Sequence, residues 1–224
     1  MDLRKALAAG GAALLLGTGV TIVGNVSSSE RPAEAAMSRT RSDFRSPAAI
    51  RLRNKMRKLW EDHIVWTRQF VVSAVADLPD VDIAAARLLD NQDDIGDAIK
   101  PFYGDAAGEQ LSALLRDHIL IAADLVGAAK SGDSEGVEDA SARWSANANE
   151  IADFLYAANP ESWPAGEMRS MMGGHLEWTL NEATARLNED WDSDVAAYDR
   201  IHRDILHMAD MLSRGIVAQF PRRF

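Results

Sequence analysis

Six stretches of this chain repeat apolar residues at spacings of three and four, and each closes at a proline, glycine or asparagine before the next begins. That period marks amphipathic helices that bury one stripe against their neighbours. Alternating runs of Val, Ile and Thr, which would read as strands, are missing. Ser46-Pro47 supplies an N-cap and a residue suited to the first helical position, so a helix is expected over about 47–78, stopped at Leu78-Pro79. Further helices are expected over about 81–102, 105–130, 134–158, 164–188 and 192–218. Asp192 or Ser193 is the expected cap of the last. Short turns between long helices make sequence neighbours antiparallel. The predicted fold class is all-α, an antiparallel helical bundle with a four-helix core and about two additional helices. The second helix is the most polar, which places it outside the core or across one end.

Residues 1–35 read as a targeting segment. Arg4 and Lys5 precede an apolar run from Ala6 to Val23, and Ala33-Glu34-Ala35 has the small-x-small pattern of a cleavage site. Cleavage after Ala35 would release an exported protein, secreted or held in the cell envelope. The apolar run is also nearly long enough to span a bilayer, so a membrane anchor over residues 6–23 is the alternative. Residues 36–46 are a linker, and 47–224 the bundle. The chain has no cysteine, which excludes a lipoprotein, disulfides and thiolate metal sites.

The net charge of −10 is unevenly spread. Residues 37–58 carry Arg39, Arg41, Arg45, Arg51, Arg53, Lys55, Arg57 and Lys58 against one acid, Asp43, and the rest of the body is acidic. An acidic body repels a phosphate backbone, so no nucleic-acid partner is expected. The basic segment 37–58 suits contact with an anionic membrane surface, or is simply a solvated helix start.

Four of the five histidines interrupt or adjoin an apolar stripe. In the first helix the stripe is Leu52, Met56, Leu59, His63 and Phe70; in the third Leu111, Leu114, His118, Ile121 and Leu125. In the fifth, Met171, His175, Thr179 and Glu182 run beside it. In the last, the stripe is drawn through Val195, Tyr198, His202, Ile205, Ala209 and Leu212. All four histidines fall near mid-helix, where antiparallel helices share one depth, and Asn91 and Asn147 join them. Burying such groups costs free energy unless they are paired. Bundles build metal sites from inward-facing side chains in this way. His63, His118, His175 and His202, assisted by Asp199 and Glu182, are therefore candidate metal ligands. Imidazole and carboxylate donors suit Fe, Zn, Mn, Ni or Cu. Glu61, Asp94 and Asp210 are candidate supports for the imidazoles. The same layer can instead be a hydrogen-bonded structural feature, or line a pocket for an organic ligand. His207 shares a face with Arg200, Arg203 and Arg214 and should be exposed.

Met168, Met171 and Met172 precede Gly173-Gly174; they read as core filler or a copper-binding cluster, and the glycine pair as a kink or close-packing point. Asn91-Gln92-Asp93-Asp94-Ile95-Gly96 is a polar patch in the second helix that reads as a solvated face, or as one whose Asn91, Asp94 and Ile95 close over the polar layer. No phosphate loop, nucleophile elbow, dinucleotide fingerprint or Ca2+ loop is present.

Three segments carry a resemblance. Leu59-Trp60-Glu61-Asp62-His63-Ile64-Val65-Trp66-Thr67-Arg68, then Asn91-Gln92-Asp93-Asp94-Ile95-Gly96, then Tyr198-Asp199-Arg200-Ile201-His202 running on to Met208-Ala209-Asp210, with the ending Gln219-Phe220-Pro221, resemble an uncharacterised family of bacterial helical-bundle proteins. Members have carried the automatic labels acetylglutamate kinase and glycosyltransferase. The resemblance implies a helical fold over about 59–224 and carries no activity. The kinase label lacks a glycine-rich loop or an α/β pattern here. Three readings follow: a metal- or ligand-binding bundle outside the cytoplasm, a structural or interaction module of the cell envelope, and a hydrolase or transferase using the polar layer.

Overall fold

A computed structural model describes residues 44–224. The expected signal or anchor segment and most of the linker lie outside the described residues. The described residues form six helices and no strand: α1 Pro47–Val75, α2 Val81–Tyr103, α3 Asp105–Ser131, α4 Ser134–Ala158, α5 Ala165–Leu187 and α6 Trp191–Gln219, then a 3-10 turn at Pro221–Arg223. No helix among them is long and apolar enough to cross a membrane.

The ends follow local chemistry. Ser46 Oγ accepts from the Ala49 N–H at 3.0 Å, as its position before Pro47 predicts. α1 stops at Val75, short of the expected 78, because the chain turns through Asp77 at φ 53° ahead of Leu78-Pro79. α2 carries Pro101 inside its last turn and ends at Gly104, whose φ of 88° suits glycine. α6 begins at Trp191, capped by Asp190 rather than by Asp192 or Ser193; the Asp190 carboxylate accepts from the Ser193 N–H at 3.1 Å.

Each helix packs on its neighbour in sequence, and α6 closes onto α1. α2 is not peripheral: Asn91, Gln92 and Ile95 are fully buried. Its polarity misleads because the two amides find partners inside the bundle, which removes most of the cost of burying them.

The α1–α6 seam is a ladder of polar pairs. Asp210 takes a two-pronged grip from Arg53 at 2.8 and 2.9 Å and a third bond from Arg57 at 3.0 Å. One step along, Glu61 meets His202 at 2.8 Å. Beyond it, Arg68 grips both oxygens of Asp194 at 2.8 and 2.9 Å and reaches Glu182 on α5 at 2.6 Å. As α1 advances by about two turns, α6 retreats by the same, so the ladder sets the antiparallel register.

The core falls into two unequal parts. A large cluster fills the end where α1 begins, with Met56, Ile64, Ile95, Leu115, Ile151, Ile205 and Ile216 among its members. The other end holds two small groups, Val71 with Val126 and Ala183, and Leu125 with Ala140 and Trp144. Between their walls is an apolar cavity of about 40 Å³, bordered by Thr67, Leu88, Ile119, Trp144 and Thr179.

At one crossing α2 and α3 touch backbone to backbone. A Cβ on Gly96 would lie 2.5 Å from the Gly108 carbonyl oxygen, and one on Gly108 2.7 Å from that of Gly96. Gly127, also in α3, faces open space. Two alanine substitutions should therefore act with opposite sign in urea unfolding. Gly96→Ala should cost about 1–3 kcal/mol by overpacking. Gly127→Ala should gain about 0.5–1 kcal/mol from helix propensity. Equal effects would mean that the α2–α3 contact is not close.

Candidate functional site

Mid-bundle, three of the four candidate histidines come together. The His175 ring, on α5, lies 5.8 Å from that of His63 on α1 and 6.0 Å from that of His118 on α3, centre to centre. His63 and His118 are each 2% exposed. Trp60 packs edge-on to His63, and Trp144 against His118 at 5.2 Å.

Two of these imidazoles are held by the same device. Asn147, on α4, donates from Nδ2 to the Leu114 carbonyl at 3.0 Å, which orients its amide. Its Oδ1 then faces His118 Nδ1 at 2.8 Å. An amide oxygen only accepts, so Nδ1 carries the proton and Nε2 is left with a lone pair. On the other side two neighbouring amides share the task. Asn91 Nδ2 donates to the Leu59 carbonyl at 3.1 Å, and Gln92 Oε1 faces His63 Nδ1 at 3.2 Å. Gln92 Nε2 is occupied by the Leu88 carbonyl at 2.6 Å and by Asn91 Oδ1 at 3.3 Å. In both cases the neighbouring helix clasps a backbone carbonyl and the imidazole one turn later, Leu59 with His63 and Leu114 with His118. His175 makes no side-chain hydrogen bond among the described residues. Thr67 and Thr179 each donate back to the carbonyl of the histidine one turn earlier, at 2.7 and 2.8 Å.

Burial keeps the cluster neutral. It pushes His63 well below the usual imidazole range, and the neighbouring His175 and His118 add to the effect while Gln92 opposes it. His118 falls to about 3 through burial and the proximity of His175, against the bond to Asn147. His175 falls to about 4 through burial, with Asp204 pulling the other way. His118 Nε2 is buried and has no hydrogen-bond partner among the described residues, as do the indole nitrogens of Trp60 and Trp144. An unpaired buried acceptor is costly, so its retention calls for a reason.

The remaining candidates lie elsewhere. His202 is about two-fifths exposed and pairs with Glu61, its ring 6.3 Å from that of Tyr198. Asp199 is exposed. The buried face of α6 runs through Asp194, Ala197, Ile201 and Ile205, one position before the stripe drawn through Val195, Tyr198 and His202, and Val195 is about half exposed. The small Ala197 and the charged Asp194 disguise that face. Glu182 is buried but serves Arg68 rather than His175, and burial raises its carboxyl to about 7 against the opposing bond from Arg68. Of the expected supporting carboxylates only Glu61 meets a histidine: Asp210 is taken by arginines, and Asp94 lies 3.9 Å from Arg87. Among the described residues no three or more His, Cys, Asp or Glu side chains are placed to hold one metal ion. The expected six-ligand set therefore does not assemble. Arg68 and Gln92 were missed as partners; the Leu-x-x-x-His spacing shared by 59–63 and 114–118 was the available signal.

His175 also borders an open cleft of about 510 Å³ between α5 and α6, so the cluster adjoins the surface at this histidine. His207 is exposed, as expected, and Gly173 and Gly174 meet nothing where a Cβ would stand, so they do not serve close packing.

No known protein family, curated protein or solved structure matches this chain.

Two measurements check that geometry. Asn147→Leu should cost about 1–3 kcal/mol by orphaning the His118 Nδ1–H. Adding His118→Leu should recover much of that loss, and simple additivity in the double-mutant cycle would refute the clasp. The pH dependence has a definite sign. His118 and His175 have depressed values in the folded state, so the unfolded chain binds more protons below about 6.5, its ordinary value. Their contribution to stability is complete above pH 6.5 and declines as pH falls toward about 3. Chemical unfolding in His118→Leu/Asn147→Leu should show a shallower decline over that window.

Proposed function

We propose that this bundle is a binding protein for a soft, low-coordinate metal ion of the copper(I) class, held by imidazole nitrogens of the buried cluster. The observation that carries the reading is the unpartnered lone pair of His118 Nε2 beside the ring of His175. Metal–imidazole bonds near 2.0–2.1 Å put each ring centre roughly 3 Å from the ion, so two rings on one ion stand at most roughly 6 Å apart. The 6.0 Å between His118 and His175 lies at that limit, the two rings 25° from parallel, with His63 next in reach of His175. Linear two-donor binding suits a monovalent soft ion. Iron, manganese and zinc take more donors and accept carboxylates, whereas the hydrogen bonds to His63 and His118 come from amides and Asp204 reaches His175 only through its charge. The amide clasps supply the orientation that ligating imidazoles need from their other nitrogen.

The place of action is proposed to be outside the cytoplasm, on the strength of Arg4-Lys5, the apolar run 6–23 and Ala33-Glu34-Ala35. The exposed basic face of α1, Arg51, Lys55 and Lys58, is suited to an anionic membrane surface, although Lys58 also pairs with Asp62; Arg53 and Arg57 are committed to Asp210. A second reading rests on the completeness of the two clasps: the layer fixes helix register and binds nothing.

Silver(I), a redox-silent stand-in for copper(I), separates the two. Purified protein without an added His tag should bind close to one silver per chain by elemental analysis after desalting, and its melting temperature should rise, since ligand at 100 times Kd adds about 2.7 kcal/mol. His118→Leu/Asn147→Leu should lose both effects. Wild-type protein that retains no silver and shows no shift would leave the register reading in place.

A further inference from the structure

Of the side chains that line the α5–α6 cleft, the buried cluster uses only His175. Met171 and His175 stand one turn apart on α5, and His207 and Met211 one turn apart on α6; all four border the same cleft. Antiparallel helices thus present two thioether–imidazole pairs to one space. Trp178 forms part of the wall and already carries a cation at its ring, the Arg200 guanidinium at 5.7 Å. Glu167, Glu177 and Asp204 border the cleft as well, and Arg200, its one Lys or Arg, is bound to Asp204 at 2.8 Å. The surroundings are therefore net negative and attract cations. Thioethers discriminate among those cations, since sulfur binds copper(I) and silver(I) and gives little to hard or borderline ions. Met168 and Met172 are core residues that do not border the cleft, Met171 is partly buried at its edge, and Met211 is a member of the main apolar cluster that reaches the cleft from beneath. Gly174 borders the cleft and adds no side chain to it.

His175 belongs to both places. It borders the cleft, and it packs against both buried imidazoles. The geometry points to the cleft as a loading site for a soft monovalent metal ion, which Met171, His207 and Met211 capture and His175 hands inward to His118. This rests on the proposed binding function and adds a route and a selectivity to it. Capture by sulfur adds selection at entry, turning away borderline ions such as zinc, to which imidazole is also a donor, before they meet the inner site. The exchange is of ligands only: each step replaces a thioether or imidazole donor with another, and no electron is transferred.

The experiment is the rate of silver(I) transfer to the full chain from a chelator of known affinity, followed by stopped-flow tryptophan fluorescence, with the final stoichiometry measured separately. Met171→Leu/Met211→Leu conserves volume and should leave the fold intact, as unchanged urea unfolding would verify. Its loading rate should fall by tenfold or more while the endpoint stays at one silver per chain. His207→Gln, at an exposed position, should slow loading without altering stability. Zinc(II) in excess should not compete in wild type, and should begin to compete in the methionine variant. Loading at the wild-type rate in both variants would overturn the route and leave the buried site standing. A wild-type chain that takes up no silver would overturn the route and the binding function together.

Discussion

One guanidinium holds three helices at a common level. Arg68, from α1, bonds both oxygens of Asp194 on α6 and one oxygen of Glu182 on α5, and its planar group lies 4.7 Å from the centre of the Tyr198 ring. Asp194 and Glu182 are 1% and 2% exposed, and Arg68 is the partner they share, with Arg186 a second for Asp194 at 3.0 Å. Burial pushes the Asp194 carboxyl up, and the bonds from Arg68 and Arg186 more than reverse this. With α1, α5 and α6 tied here, the remaining rungs at Glu61–His202 and Arg53–Asp210 fall into step. His63 and His175 then have no freedom of depth, since α1 and α5 carry them only one to two turns from the tie.

The imidazole layer is the second consequence of that register. Each clasp joins a different pair of helices, α1 with α2 and α3 with α4, and His175 of α5 is inserted between the two. The clasps use only neutral groups, which suits a low-dielectric core better than carboxylates would, because no charge has to be compensated there. They also hold the proton on Nδ1 and so settle which nitrogen of each ring is available for other work. A carboxylate in place of Gln92 or Asn147 would raise the histidine's affinity for a second proton and compete with any ligand at Nε2.

Much of this was legible in the primary structure. Six helical stripes, their approximate ends and the clustering of polar residues at mid-depth all follow from spacing, because helix period and stop residues are local. The Ser46-Pro47 start is such a case. What spacing could not resolve was orientation within about one residue. On α6 the choice between the Val195–Tyr198–His202 face and the Asp194–Ala197–Ile201 face depends on whether Asp194 has a buried partner, and that partner, Arg68, is far away in sequence. The same holds for Asn91 and Gln92, which look like a solvated face until the carbonyls they bind on other elements are known. Hydrophobic pattern assigns an isolated charge or amide to solvent, and long-range pairing is what reverses the assignment.

The polar layer also divides the molecule mechanically. Toward the start of α1 the apolar cluster is large and continuous; beyond the imidazoles lie two small clusters around an apolar void. Fewer dispersion contacts and an unfilled space mean that less free energy separates this end from a locally opened state. Amide protons in the C-terminal half of α1 and α5 and the N-terminal half of α2 and α4 will then exchange ahead of those at the opposite end. The bundle is in this respect a firm base with a looser crown, and the imidazoles sit at the boundary between them.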